Sequence, residues 1–244
     1  MSKYIRVVAL LMIFSVITGG RTVTAAGAEG RPVKAVISGI IGAYGGEKAV
    51  TAAKRVYAQG TITAFMRGDE GTYLRWFERG RRLRVETKYS RSSELRILNG
   101  SKGWRGVDGE AGEVNGFQYL AMIYQYKQVD ILYGLMTGQY KVVPDGSVVD
   151  GVTSVDIYRL SDVEGPPMRI FVEPKSGLIV EIEGVFSVNG HETSLSAQFS
   201  DFRKVDGLKL PFKVLNFGGG KPIGETTIHK YEINPVFKNT VFKP

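Results

Sequence analysis

Few side chains in this chain have the types and spacing that catalysis or metal binding needs. It has no cysteine and two histidines, His191 and His229, which excludes disulfides, thiolate metal sites, a cysteine nucleophile and three-histidine metal sites. Neither histidine has a serine or carboxylate placed to orient a catalytic base. His191 follows an Asn-Gly turn, which predicts an exposed position, and His229 lies in a strand pattern, which predicts a packed side chain. We therefore expect no catalytic residue, metal or cofactor.

Two further patterns have simpler structural explanations. Gly218 to Lys221 is glycine-rich like a phosphate-binding loop, but it lacks that motif's spacing and the hydroxyl residue after lysine. It is typical of a flexible hairpin loop. Glu181 and Glu183 alternate with Val180 and Ile182, which is typical of the solvated face of a strand rather than of a catalytic carboxylate pair. The inventory predicts a protein that is not an enzyme.

The first 25 residues predict a cleaved secretory signal. Lys3 and Arg6 precede an apolar run over 7–17, and small residues follow, with cleavage expected after Ala25 or Ala28. A membrane anchor is the alternative, but the run is barely more than half of the roughly 20 apolar residues that span a bilayer. We expect an exported periplasmic protein without a lipid-anchor cysteine, and not a transmembrane protein.

Part of the positive charge belongs to this signal. The formal net charge falls from +8 to +5 when residues 1–25 are removed, because Lys3, Arg6 and Arg21 leave and no acid does. The remaining excess centres on 75–88, which has six basic residues and two acids. A solvated strand face explains this cluster, and contact with an anionic lipid head group is the second explanation. No nucleic-acid partner is expected for an exported protein.

Hydrophobic spacing predicts three helical segments among many strands. Apolar residues recur at intervals of three and four over 31–44, a short helix follows at 47–54, and 116–138 predicts one helix, or two joined near Val129. The rest alternates with a period of two, with Asn-Gly and Asp-Gly turns between the segments. These patterns predict an α+β protein, mainly antiparallel β, with one domain over 26–244. About ten or eleven strands must curl or close.

The apolar side chains assigned to one concave face have two possible uses. We place Leu74, Trp76, Leu83 and Val85 on that face with strand residues from the second half of the chain. The helices could fill the concavity as an ordinary core, which is the default use of apolar faces. They could instead form a lid over a cavity that binds an apolar ligand. Spacing alone leaves both open.

Three segments then carry a resemblance to a known family. Residues 73–86 form an aromatic strand, a turn at Arg79 and Gly80, and a basic strand; 98–104 is an Asn-Gly hairpin leading to Trp104; 205–211 is an Asp-Gly hairpin ending at a proline. With the order of elements over essentially all of the mature chain, they resemble the Lol lipoprotein-carrier superfamily, which includes the periplasmic carrier LolA and the outer-membrane receptor LolB.

The resemblance implies an unclosed antiparallel half-barrel with helices as a lid over its concave face. It also implies binding of acyl chains without catalysis. Arg79 falls on the family's Lys-Arg-Pro arginine, which holds the lid shut in the carrier, whereas Glu78 and Gly80 stand for the flanking lysine and proline. Arg79 is therefore the expected lid latch. The expected ligand-binding residues are Leu74, Trp76, Leu83, Val85, Phe117, Leu120, Tyr124, Leu135, Val180, Ile182, Leu195 and Phe199.

Two functional hypotheses follow. The first is a periplasmic carrier or sensor that binds lipoprotein acyl chains or another apolar lipid in outer-membrane lipoprotein sorting, with a transfer partner in the inner or outer membrane. The second is a non-enzymatic envelope module that regulates or scaffolds a protein partner. The missing lipid-attachment cysteine favours a soluble carrier or sensor over the membrane-anchored receptor type.

Overall fold

A fourteen-stranded antiparallel sheet and three helices form the computed structural model, which describes residues 22–24, 31–150, 153–238 and 240–244. Most of the predicted signal peptide and both candidate cleavage sites lie outside the described residues. None of the described helices has the length and apolar character needed to cross a bilayer.

The helices lie where the apolar spacing predicts them. They are α1 (Val33–Ala43), α2 (Gly46–Ala52) and α3 (Gly116–Met136). The predicted central segment is a single helix. The α1–α2 turn requires glycine, because Gly45 has φ of 118° and a Cβ there would lie 2.1 Å from the Gly207 carbonyl oxygen.

The strands form one open sheet in the order β1-β8-β9-β10-β11-β12-β13-β14-β2-β3-β4-β5-β6-β7. Within the described chain, its edges are β1 and β7. The strands are β1 (Thr22–Thr24), β2 (Arg55–Ala64), β3 (Asp69–Glu78), β4 (Arg82–Tyr89), β5 (Ser93–Asn99), β6 (Lys102–Val107), β7 (Gly112–Val114), β8 (Lys141–Asp150), β9 (Thr153–Ser161), β10 (Met168–Val172), β11 (Ile179–Val188), β12 (His191–Val205), β13 (Leu208–Gly218) and β14 (Lys221–Ile233).

The antiparallel, unclosed architecture is confirmed, but the expected strand count is too low. The three-residue strands β1 and β7 are too short to show a period of two. β8 contains Pro144, Asp145 and Gly146, which resemble a turn in sequence. A register shift between Pro144 and Ser147 keeps β8 paired with β9, as β-bulges commonly do.

The register of β3 corrects the expected face of two residues. Phe77 pairs with Leu83 and Arg75 with Val85, so these four side chains share the inner face beneath the helices. Leu74 and Trp76 therefore lie on the outer face, where the Trp76 and Tyr57 rings have centroids 5.3 Å apart. Both faces of β3 carry apolar and charged residues, so alternation alone did not decide which face turns inward.

Two apolar clusters pack the helices against the inner face. The first joins α1 and α2 to β9–β11 through residues such as Ile40, Tyr158 and Ile182. The second lies on β2–β5 and β14 and includes Phe77 and Leu83. Because α3 contributes to both clusters, it crosses the middle of the concave face.

Candidate ligand-binding site

A cavity of about 440 Å³ lies between the inner face of the sheet and α3. Its volume falls in the range of about 300–1,000 Å³ that is usual for small-molecule sites. Helix residues such as Val129 and Leu132 line one end. Met66 and Ile223, which are 87% and 38% exposed, line the other end, so we call this end the mouth. The helices thus cover the concavity without filling it.

Half of the predicted apolar binding residues line this cavity. They come from β4, α3, β11 and β12, which the sheet order and the α3 crossing bring together. They are Leu83, Val85, Tyr124, Ile182, Leu195 and Phe199.

The remaining predicted residues lie elsewhere. Leu74 and Trp76 are on the outer face of β3. Val180 lies at a register shift in β11 and lines a second, outer-face groove, so its expected concave position is wrong. Leu120 and Leu135 of α3 pack in the first cluster. Phe117 is 37% exposed and its ring lies 5.2 Å from that of Phe186.

Arg79, the predicted latch residue, contacts both helices that cover the cavity. Its Nη2 donates to the carbonyl oxygens of Val50 and Ala53 at 3.0 and 2.9 Å, and its Nη1 donates to that of Thr51 at 3.2 Å. These are carbonyls at the C-terminal end of α2, where the helix dipole favours a cation. Its Nε donates to the Asp130 carboxylate on α3 at 3.2 Å.

The Arg79 site is closed by aromatic residues of α3. The guanidinium carbon lies 3.6 Å from the Tyr133 ring centroid, a cation–π contact. The Tyr126 hydroxyl donates to Asp130 at 3.1 Å and accepts the Gly80 N–H at 3.2 Å. Glu78, next to Arg79, pairs with Arg82 instead. Four of the five N–H groups of the Arg79 guanidinium therefore donate to the protein itself.

Burial dominates the titration of the groups around Arg79. Removal from water raises the pKa of Asp130 above its ordinary value, although attraction to Arg79 and the hydrogen bonds from Arg79 and Tyr126 oppose the rise. Burial, together with the nearby Asp130, raises the pKa of Tyr126 to about 12. The ion pair therefore carries a desolvation cost, which the three carbonyl contacts of Arg79 help to offset.

The sequence analysis did not predict a polar row across the inner face. Tyr231, Ala58, Arg75, Val85 and Arg96 are successive register partners from β14 to β5. Residues in register share a face, so Arg75 and Arg96 point to the same side as the cavity-lining Val85, and both line the cavity. Pairing Phe77 with Leu83 across the predicted β3–β4 turn would have revealed this row.

The histidines do not form a site among the described residues. His191 is exposed, as predicted. His229 is also exposed, which corrects its expected packed position, because a register shift between Ile228 and Lys230 turns it outward. The described chain contains no group of three or more histidine, aspartate or glutamate side chains that could hold a metal.

Three solved structures share this architecture. A DUF1329 family protein from Desulfovibrio piger superposes with a TM-score of 0.56 at 12% identity, covering 87% of this chain and 97% of its own. A domain described as outer-membrane lipoprotein-sorting from Vibrio parahaemolyticus superposes with a TM-score of 0.54 at 7% identity, and the match covers 87% of this chain and 97% of that domain. A LolA superfamily protein from Nitrosomonas europaea superposes with a TM-score of 0.54 at 11% identity, and the match covers 88% of this chain and 98% of that protein. No protein-family model and no curated protein matches the sequence.

These superpositions show that the chain has a LolA/LolB-like fold. They cover nearly the full length of each similar structure. At such low identity the likeness concerns the fold alone, and a conclusion about function must come from the cavity.

Proposed function

We propose that the protein is a periplasmic carrier that binds an acyl chain, of a lipoprotein or of another lipid, in the cavity beneath α3. The observation that carries this proposal is the cavity itself, which a concave face used only as a core would not contain. The LolA/LolB-like fold supports the proposal, as does the predicted signal peptide. Binding and release of a lipid require no catalytic group.

The energetics of such a carrier follow from burial. Each Å² of acyl surface removed from water contributes about 25 cal/mol. The same cavity opens at a mouth with exposed Met66 and Ile223, through which a chain can enter. Arg79 fastens α2 and α3 over the other end and acts as a latch, which limits how far the lid opens. Net transfer needs a partner in the inner or outer membrane that favours the open or unloaded state.

The experiment uses N-phenyl-1-naphthylamine, an uncharged probe whose fluorescence rises in apolar surroundings. The purified protein should bind it saturably. Leu195→Trp, which adds bulk inside the cavity, should weaken probe binding about tenfold or more. The matched control Leu74→Trp adds the same bulk on the outer face of β3 and should leave binding unchanged.

Two results would overturn the carrier proposal. One is the absence of saturable probe binding by the wild-type protein. The other is an equal loss of binding in both variants, because the probe would then not occupy the cavity. Failure to bind the probe, combined with capture of an envelope protein, would favour the regulatory or scaffolding alternative.

A further inference from the structure

We infer that the cavity binds an anionic amphiphile, whose carboxylate or phosphate head group contacts Arg75 and Arg96 and whose acyl chain lies against the apolar wall. This inference rests on the proposed function, and it specifies the ligand. It favours a free anionic lipid over an acyl chain that is attached to a protein.

Arg75 is a cation inside the cavity without a carboxylate partner among the described residues. The Tyr73 and Tyr231 side chains lie beside its guanidinium, and both also line the cavity. An arginine side chain keeps its charge at physiological pH, and a charge buried without a counterion is costly.

Unpaired polar atoms gather at the same place. In the described chain, five buried side-chain polar atoms lack a hydrogen-bond partner, and three of them belong to cavity-lining residues: Arg75 Nε, Arg96 Nε and Gln125 Oε1. A fourth, Thr87 Oγ1, lies on the inner face of β4 between its register partners Tyr73 and Glu94, which line the cavity. Arg96 Nε keeps an ion pair with Glu94 at 3.6 Å, whereas a buried polar group without any partner costs about 1–3 kcal/mol.

The charge balance of the row favours an anion. Glu94 lies 3.6 Å from Arg96 and 2.7 Å from Arg105, measured between nitrogen and oxygen. Burial favours the neutral form of Glu94, but the two arginines outweigh it and lower its pKa, so this carboxylate is charged. One carboxylate is thus shared by two arginines, and Arg75 adds a third cation. An oxyanion is the head group that arginine binds best, because its N–H fork can donate two bonds at once.

The position of the row separates two kinds of cargo. Apolar Ile62, Val214 and Ile223 line the cavity on its mouth side, whereas Phe77 and Leu83 lie on the helix side of Arg75. A free anionic lipid can place its head group at the row and its chain along this wall. An acyl chain attached to a protein enters tail first, leaves its attachment at the mouth and brings no anion to Arg75.

The test is displacement of N-phenyl-1-naphthylamine by four ligands that share a twelve-carbon chain: dodecanoate, dodecyl phosphate, dodecanol and dodecylamine. At least one of the two anions should bind about tenfold or more tightly than dodecanol, and the amine should bind most weakly. The tighter anion identifies the head group as carboxylate or phosphate. Equal affinity for dodecanol and both anions would overturn the inference.

Matched variants locate the head group. Arg75→Gln should abolish the preference for the anion over dodecanol, and Arg96→Gln should reduce this preference. Arg82→Gln removes the same charge from the outer face of β4, and this variant should keep the anion preference. An anion preference that survives in both Arg75→Gln and Arg96→Gln would overturn the site.

These results are distinguishable from failure of the proposed function. If the wild-type protein does not bind the uncharged probe, the carrier proposal fails. If the probe binds and the anions compete no better than dodecanol, only the anionic ligand is excluded. The wild-type comparison decides this point even if a variant does not fold.

Discussion

Arg75 in β3 and Arg79 directly after β3 have very different surroundings. Arg79, just after β3, is surrounded by three carbonyl oxygens of the α2 end, the Asp130 carboxylate and the Tyr133 ring. Arg75, four residues earlier, contacts two tyrosines and has an Nε without a partner. Both line the cavity. Arg79 has a carboxylate partner and four donated hydrogen bonds, whereas Arg75 has no carboxylate partner in the described chain.

This difference separates a structural role from a binding role. A guanidinium that donates to two helices holds these elements together, because moving it would leave buried partners unpaired. A guanidinium with unused donors in a cavity can donate to a ligand that enters. This contrast is consistent with the proposed latch at the helix end of the cavity and with the proposed head-group site in its middle.

Arg79→Ala should have the largest effect on folding. It removes contacts to α2 and α3 together and leaves the Asp130 carboxylate buried without its counterion, so the free energy of unfolding should fall by about 3–5 kcal/mol. Urea denaturation followed by circular dichroism measures the change. Arg82→Ala, which removes a half-exposed pair with Glu78, should cost less than about 1 kcal/mol. An equal loss of unfolding free energy in Arg79→Ala and Arg82→Ala would contradict the latch role of Arg79.

Arg75→Gln should behave in the opposite way. Without ligand, its free energy of unfolding should lie within about 1 kcal/mol of the wild type, because the lost charge had no carboxylate partner. The tighter-binding of dodecanoate and dodecyl phosphate, at 100 times its wild-type Kd, should stabilise the wild type by about 2.7 kcal/mol. At the same ligand concentration, the free energy of unfolding of the variant should rise by about 1.4 kcal/mol less than that of the wild type, which corresponds to tenfold weaker binding. If Arg75→Gln without ligand lost as much free energy of unfolding as Arg79→Ala, the proposed difference between the two arginines would be contradicted.

The smallest effect concerns pH and Asp130. Burial raises its pKa above 3.8 in the folded protein, so the folded state holds this proton more tightly than the unfolded state. Wild-type stability should therefore fall relative to Asp130→Asn as pH rises from about 4 through the folded pKa, by about 1.4 kcal/mol for each pKa unit of the shift. Paired urea titrations measure the difference. A relative gain of wild-type stability over that interval would mean that the ion pair outweighs burial.

Much of the architecture could be predicted from the sequence because it depends on the local spacing of apolar residues and turn residues. Intervals of three and four residues located α1 and α3, and the Asn-Gly and Asp-Gly turns located hairpins such as β5–β6. The helices were predicted to cover the concave face, and the LolA/LolB-like fold was recognised from short motifs. β8 was missed because its Pro-Asp-Gly segment resembles a turn although it stays in the ladder.

The site was less accessible because it depends on register and on contacts between distant elements. Residues on β3 alternate between two mixed faces, and only the pairing of Phe77 with Leu83 shows that Arg75 points inward while Leu74 and Trp76 point outward. The contacts of Arg79 join residues 26 to 51 positions apart. The resemblance predicted its role, but no local pattern could have supplied its partners.

The most direct test is a crystal structure of the protein with whichever of dodecanoate and dodecyl phosphate binds more tightly. We expect an acyl chain in the cavity beneath α3, with a head-group oxygen about 2.7–3.2 Å from a guanidinium nitrogen of Arg75, while Arg79 keeps its contacts with α2 and Asp130. A chain that leaves its head group at the mouth beside Met66, or a cavity that excludes both ligands, would contradict the proposal.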